Sequence, residues 1–284
     1  KLIKLAKKIK KHPKRYSNKL YRKTLLMLFA KPSLRTHLSF DIAMYQLGGH
    51  AIFYDIANSP LGKKESIKDF SLVVSRYVDA VMARVYEHND LLEMSKYSEI
   101  PIINGLSNSE HPCQVLGDLL TIKETFKDWK NTKIAYLGDA NNNVIHSLII
   151  ACNKLGMEII ISCPNKKEFL PSKSILKDSK YTFIKDPKNA VKDTDIIYTD
   201  SWMSYHIPES QKNRRIKILK PFQINKKLFN INKEAIFMHC LPAGRGYEVT
   251  SDVIDSKKSI VFDQAYNRLP IQKAILLKLL DKIF

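Results

Sequence analysis

Phe29-Ala30-Lys31-Pro32-Ser33-Leu34-Arg35-Thr36-His37-Leu38-Ser39-Phe40 is the stretch on which the reading of this chain turns. An apolar run, Leu25 to Phe29, leads into a break at Pro32. Beyond it Leu38, Ala43, Met44 and Leu47 recur at helical spacing, so Ser33 to Thr36 is expected at a helix entrance. The first turn of a helix carries backbone N–H groups without intrahelical acceptors and the positive end of the dipole. Ser33, Arg35 and Thr36 add two hydroxyls and a guanidinium there, which suits a phosphate. Taken alone, the segment also fits a plain capping Ser33 and a solvated Arg35.

At 284 residues the chain is long for one core, and two domains are expected. No apolar run reaches the ~20 residues that span a bilayer, and the N-terminus lacks the apolar core of a signal peptide, so no membrane partner is expected. Cys113, Cys152, Cys163 and Cys240 form no CxxC pair, which suits reduced thiols and a cytoplasmic location. The net charge of +19 raises nucleic acid as a rival partner. Much of that charge is local: residues 1 to 23 hold eleven Lys or Arg and no Asp or Glu. No stacking aromatics interleave with them and no nucleic-acid motif is present, so no specific nucleic-acid role is expected.

Outward from the first stretch the order is α/β throughout. Leu2, Leu5, Ala6 and Ile9 predict a short helix, His50 to Asp55 a strand after Gly48-Gly49, and Ser66 to Tyr77 a helix. Asp79 to Arg84 reads as a buried strand ending on a cation, where open α/β sheets bind ligands. Ile100 to Asn104 is a further strand. It leads to His111-Pro112-Cys113-Gln114 and a long helix to about Asp128 that links two domains. A second α/β unit opens with the strand Lys133 to Asp139, the asparagines Asn141 to Asn143 and a helix to Leu155. It lacks GxGxxG, so a dinucleotide is not expected. Strands are predicted at 158–162, 181–184, 195–199, 235–239 and 259–262. A last helix starts at Pro270, with Ile271, Ala274, Ile275, Leu279 and Ile283 as its apolar stripe. Strands separated by helices imply parallel sheets.

Read with His239-Cys240-Leu241-Pro242 and the Arg268 segment, these motifs resemble the aspartate/ornithine carbamoyltransferase family, over nearly the whole chain and in family order. His-Cys-Leu-Pro followed by Arg245-Gly246 is closest to the ornithine branch. The resemblance implies a donor domain at 1–128 with the C-terminal helix at 265–284, and an ornithine domain at 129–264. It implies that Ser33, Leu34, Arg35, Thr36 and Arg268 hold the phosphate of carbamoyl phosphate. Arg84, His111 and Gln114, with Cys240 and Leu241, approach the carbamoyl end, and Asn143, Asp200, Ser204 and Tyr205 bind L-ornithine. Arg84, His111, Asp200 and Cys240 are the implied catalytic groups, with no cofactor and no metal. A homotrimer or a multiple of it is expected on the same ground.

Leu34 stands where the family loop usually has Thr, at a position used mainly through its backbone N–H. Ser204-Tyr205-His206 replaces Ser-Met-Gly, Pro60 replaces a Gln or His contributed to a neighbouring subunit, and Gly244 replaces a His. Lys63 or Lys64 is a candidate to compensate for Pro60. These departures keep another amine, such as putrescine or a modified ornithine, open as acceptor, beside a noncatalytic polyanion-binding reading. A metal shared by His111, Cys113, His239 and Cys240 is a further alternative, although their spacing matches no known zinc motif.

Overall fold

The computed structural model describes residues 1–56, 64–126, 128–204 and 207–281. The chain divides into two compact units, Lys1–Leu120 with Tyr266–Phe284, and Thr121–Ala265. Elements are numbered along the chain. Among the described residues no helix is long and apolar enough to cross a membrane.

The first unit is built on a parallel sheet ordered β2-β1-β3-β4, from β1 (Thr24–Phe29), β2 (His50–Asp55), β3 (Ala80–Arg84) and β4 (Ile102–Leu106). The inner strands β1 and β3 are buried almost throughout because both faces are covered, whereas the edge strand β2 is largely exposed. Leu25, Met27 and Phe29 of β1 pack with residues of α1 (Leu2–Lys11), α2 (Leu34–Gln46), α5 (Pro112–Thr125) and α13 (Arg268–Leu280). The alternating Leu26 and Leu28 pack on the other side with α3 (Ile67–Val74) and α4 (His88–Tyr97). Each fully buried Leu or Met contributes about 1.5–3 kcal/mol of transfer free energy.

The second unit holds a parallel sheet ordered β7-β6-β5-β8-β9, from β5 (Lys133–Leu137), β6 (Glu158–Ser162), β7 (Thr182–Phe183), β8 (Ile196–Thr199) and β9 (Ile236–His239). Its helices are α6 (Asn143–Leu155), α7 (Lys173–Leu176), α8 (Pro187–Ala190), α9 (Lys212–Leu219), α10 (Lys226–Phe229), α11 (Ser251–Ile254) and α12 (Val261–Tyr266). Ala135, Leu137, Ile197 and Phe237 bury one face of the sheet with Leu228, Phe229, Val253, Ile254 and Val261.

Four expectations are corrected. Residues 259–262 are not a strand: Ser259 makes a single bridge to Phe237, one Ile260 N–H to Phe237 carbonyl rung is formed, and the chain turns at once into α12. Of the apolar residues expected to face the core of α2, Ala43, Met44 and Leu47 are buried together with Thr36 and Phe40, whereas Leu38 is 46 % exposed and lies off that face. The helix expected from Pro270 starts at Arg268, and everything from Pro270 to Leu277 is buried, a far wider surface than a stripe. α4 went unpredicted, since only Leu91 and Met94 among its ten residues are buried.

In the second unit one buried ion pair ties β5 to α9. Arg215 donates through Nη2 to Asp139 and through Nε to the Trp202 carbonyl at 3.1 Å, and its guanidinium lies over the Phe169 ring. Burial pushes the Asp139 carboxyl up to about 6, against the pull of Arg215. Removing one member of such a pair leaves a charge uncompensated. Arg215→Ala should therefore destabilise the protein by about 3–5 kcal/mol, read as a lower urea midpoint at pH 7.

Candidate active site

Both sheets reverse their strand order beside a central strand, between β1 and β3 in the first and between β5 and β8 in the second. Loops at the carboxyl ends of such strands form the usual ligand crevice of open parallel sheets. β1 runs into Ala30 to Thr36 and β3 ends on Arg84, and the two are joined by the Ala30 N–H to Arg84 carbonyl bond at 2.9 Å. In the second sheet β5 leads to Asn143 and β8 to Asp200 and Ser204, while β9, next to β8, leads to Cys240.

In the first unit Ser33 caps α2, its Oγ accepting the Thr36 N–H at 3.3 Å. Thr36 is fully buried and its Oγ1 accepts from Arg268 Nη2 at 2.8 Å, a bond spanning 232 residues of sequence. Gly117 of α5 makes room for that arginine: a Cβ there would lie 3.3 Å from Arg268 Cγ. Arg84, His111, Gln114 and Arg268 are all at most 5 % exposed. Gln114 commits its NH2 to Asp118 Oδ1 at 2.9 Å, so its carbonyl oxygen is the end left to accept.

The His111 imidazole is held well below its ordinary pKa, first by burial and then by the charges of Arg268, Arg84 and Lys31. It is a neutral ring among cations at pH 7. The structure thus brings Arg84, His111 and Arg268 together, with Thr36 bonded to Arg268. Arg35 lies in the same helical turn as Thr36 but is not among the charges acting on His111. Leu34 is 68 % exposed, so only its backbone can serve an anion buried beside Thr36.

In the second unit Cys240 Sγ donates to Asp200 Oδ1 at 2.9 Å, and the same oxygen accepts the Ser201 N–H at 2.7 Å. Asn142 caps α6 by accepting from Val144 and Ile145 N–H, which places Asn143 at the first position of that helix. Ser204 is half-buried; a cavity of about 190 Å³ is lined by Ser201, Trp202, Met203, Lys212, Tyr247 and Glu248. Pro60, Lys63, Tyr205 and His206 lie outside the described residues; Lys64 is exposed.

Asp200, His239 and Cys240 present ligand atoms within 4.8 Å of one another. Both His239 nitrogens are engaged, Nδ1 by the Leu241 N–H at 2.9 Å and Nε2 with Glu248 at 3.3 Å, so a metal would have to displace one of them. Cys113 Sγ donates to the Asn104 carbonyl at 3.3 Å, and burial pushes its thiol up to about 12, far from the thiolate a metal binds.

The family description "Aspartate/ornithine carbamoyltransferase, carbamoyl-P binding domain" matches residues 1–124, and "Asp/Orn binding domain" of the same family matches 130–279. The chain belongs to the aspartate/ornithine carbamoyltransferase family. It is 48 % identical to the ornithine carbamoyltransferase of Archaeoglobus fulgidus over 99 % of this chain and 93 % of that protein. The Methanocaldococcus jannaschii ornithine carbamoyltransferase is 47 % identical over 97 % of this chain and 92 % of its own length. The solved ornithine carbamoyltransferase of Pyrococcus furiosus superposes with a TM-score of 0.91 at 45 % identity, covering 100 % of this chain and 93 % of that one.

This carbamoyltransferase holds a further buried cation in its first unit. Lys31 is 4 % exposed, with Nζ 4.4 Å from the centre of the Tyr86 ring. Burial, with Arg84 adding to it and Glu87 opposing, brings its ammonium down to about 8. The only signal for it was a lysine between an apolar strand and a capping serine, and buried lysines are rare enough to ask what pairs with them.

Its charge is present below pH 8 and lost above. Wild-type protein should bind carbamoyl phosphate about tenfold more tightly than Lys31→Met at pH 7, for the loss of one charge-assisted contact. That advantage should shrink toward nothing by pH 9.5, measured by calorimetric titration at fixed ionic strength. An advantage independent of pH would remove Lys31 from the anion site.

Proposed function

We propose that this enzyme transfers the carbamoyl group of carbamoyl phosphate to the side-chain amine of L-ornithine, giving L-citrulline and phosphate. The buried group of Arg84, Arg268 and Lys31 around a neutral His111 carries this reading, because it attracts an anion and offers donors to a carbonyl oxygen. The phosphate is held at the α2 entrance by the backbone of Ser33 to Thr36, by Arg35 and by Arg268. Arg84 and His111 polarise the carbamoyl oxygen, and Gln114 accepts from the carbamoyl NH2.

The amine lone pair attacks the carbamoyl carbon, and negative charge grows on the carbonyl oxygen beside Arg84 and His111. The C–O bond to phosphate then breaks. Phosphate leaves with the electron pair, and the nitrogen loses a proton as the new amide forms. Each well-placed donor to such an oxyanion is worth ~2.7–4 kcal/mol. An alkyl ammonium with a pKa of about 10.4 is neutral in only ~1 of 10³ molecules at pH 7. Binding must therefore select the neutral amine or take its proton. Asn143, Asp200, Ser204 and Tyr205 receive the ornithine, Cys240 and Leu241 approach the carbamoyl end, and Asp200 with Cys240 lies near the reacting amine, a reading supported by the hydrogen bond between them. Lys1–Leu120 serves the donor and Thr121–Ala265 the acceptor.

Carbamoyl phosphate should be incubated with ornithine, putrescine and other amines, and the products identified by mass spectrometry. Citrulline from ornithine is expected; Arg84→Ala should lower turnover at least 100-fold, the loss seen for single oxyanion donors, and Arg35→Ala, which removes a charge-assisted phosphate contact, should lower kcat/KM for carbamoyl phosphate about tenfold or more. Carbamoyl-putrescine as the main product would move the acceptor assignment. Phosphate from spontaneous decomposition alone would remove the enzymatic one.

The protein works as a trimer or a multiple of it, in the cytoplasm. Its four cysteines are free thiols, as suits that compartment. Self-association is supported by the outward face of α2: Leu34, Leu38, Ile42 and Tyr45 fall within about 80° of one another on the helix at 3.6 residues per turn. They lie close in sequence to the exposed Ile52, Phe53 and Tyr54 of β2, an edge strand of the sheet. An apolar edge strand beside an apolar helix face calls for a cover. Leu38→Asp with Tyr45→Glu should convert the oligomer to monomer by light scattering after size exclusion; an unchanged mass would put the interface elsewhere.

A further inference from the structure

The loop that carries Cys240 is braced by a buried pair. β9 ends at His239, fully buried, whose Nδ1 accepts the Leu241 N–H at 2.9 Å. A ring nitrogen that accepts carries no proton, so the proton sits on Nε2 and is donated to Glu248 Oε1 at 3.3 Å. Glu248 is 1 % exposed, and the same oxygen accepts the Gly244 N–H. The chain of bonds therefore runs from the Leu241 backbone through His239 and Glu248 to the Gly244 backbone, closing the loop on itself. Gly244 permits it: a Cβ there would stand 2.6 Å from Glu248 Oε2 and 3.1 Å from Oε1. The next arm is tied down by Gln223, whose Nε2 donates to the Gly246 and Tyr247 carbonyls, each at 2.7 Å.

We propose that Glu248, acting through His239, is a positioning residue that holds the 240–244 loop so that Cys240 meets Asp200. The proposal rests on the carbamoyl-transfer reading given above. Both bonds to Glu248 end on one oxygen, so the loop needs an acceptor there and not a negative charge. Gln supplies that acceptor; Leu, of similar size, does not. Losing it frees the Gly244 N–H and the His239 ring and lets the loop drift, and a displacement of about 1 Å can cost on the order of 100-fold in rate.

Glu248→Leu should lower kcat by about 10- to 100-fold. Glu248→Gln should restore kcat to within about threefold of wild type, a change near the thermal energy. A second readout does not depend on turnover. Cys240 is the one partly exposed cysteine, the other three being buried, so alkylation by iodoacetamide, located by peptide mass spectrometry, reports its hold on Asp200. Glu248→Leu should speed labelling of Cys240, and Glu248→Gln should not.

If Glu248→Leu does not fold, Gly244→Ala, which displaces the carboxylate without removing it, should show the same pattern more weakly. Wild-type kcat and labelling in Glu248→Leu, or in Gly244→Ala where that variant stands in, would overturn the proposal. So would a Glu248→Gln as impaired as Glu248→Leu. If the wild type made no citrulline, the functional reading would fall while the labelling rates still tested the brace.

Discussion

Repulsion between buried cations is the constraint on which the first unit depends. Arg84, Arg268 and Lys31 all act on His111, and burial strengthens their mutual repulsion by lowering the local dielectric. The protein meets part of that cost locally. Arg268 is given the Thr36 hydroxyl, Lys31 the face of the Tyr86 ring, and His111 stays uncharged. On the proposed reading, a phosphorylated ligand would add negative charge beside these cations.

The sheets explain why groups so far apart in sequence can meet. A parallel sheet delivers the carboxyl ends of all its strands to one edge, and where strand order reverses the connecting helices diverge and leave an opening. β1 and β3 lead to Ser33 to Thr36 and to Arg84 at one such opening; β5 and β8 lead to Asn143 and Asp200 at the other. α13 returns Arg268 to a partner 232 residues earlier in the chain, through a bond that the missing side chain of Gly117 makes room for.

This also marks how far the sequence could be read. The strand into the phosphate loop, the capping Ser33 and Arg84 at a strand end were legible because each is announced locally, by an apolar run, a Pro-Ser break or a charge closing a buried segment. Leu38 was misassigned because a helix with apolar residues on two faces does not say which is inward. Thr36 lies on the buried face and Leu38 on the open one. The segment 259–262 reads as a strand by composition, yet the edge of β9 offers it one rung, so helix-forming contacts from Val261 onward prevail. Lys31 and Glu248 were invisible as functional groups, since nothing near them in sequence reveals that a lysine will be buried over an aromatic ring or that a glutamate will find a histidine nine residues back.

Charge separates the tasks of the two halves. A chain of net charge +19 attracts a phosphorylated donor from a distance and repels an ammonium ion. Repulsion of the charged form works in favour of the chemistry, because only the neutral amine has a lone pair with which to attack. The acceptor side needs just enough negative charge to receive the protonated backbone amine of an amino acid without stabilising the side-chain ammonium. Asp200 is suited to this by being already engaged: one oxygen accepts from both Cys240 and Ser201, which lowers its appetite for a further cation. On the proposed reaction, a carboxylate free of those two bonds would hold the side-chain ammonium more firmly, so the hydrogen bonds to Asp200 would serve the chemistry as much as the cations beside the donor.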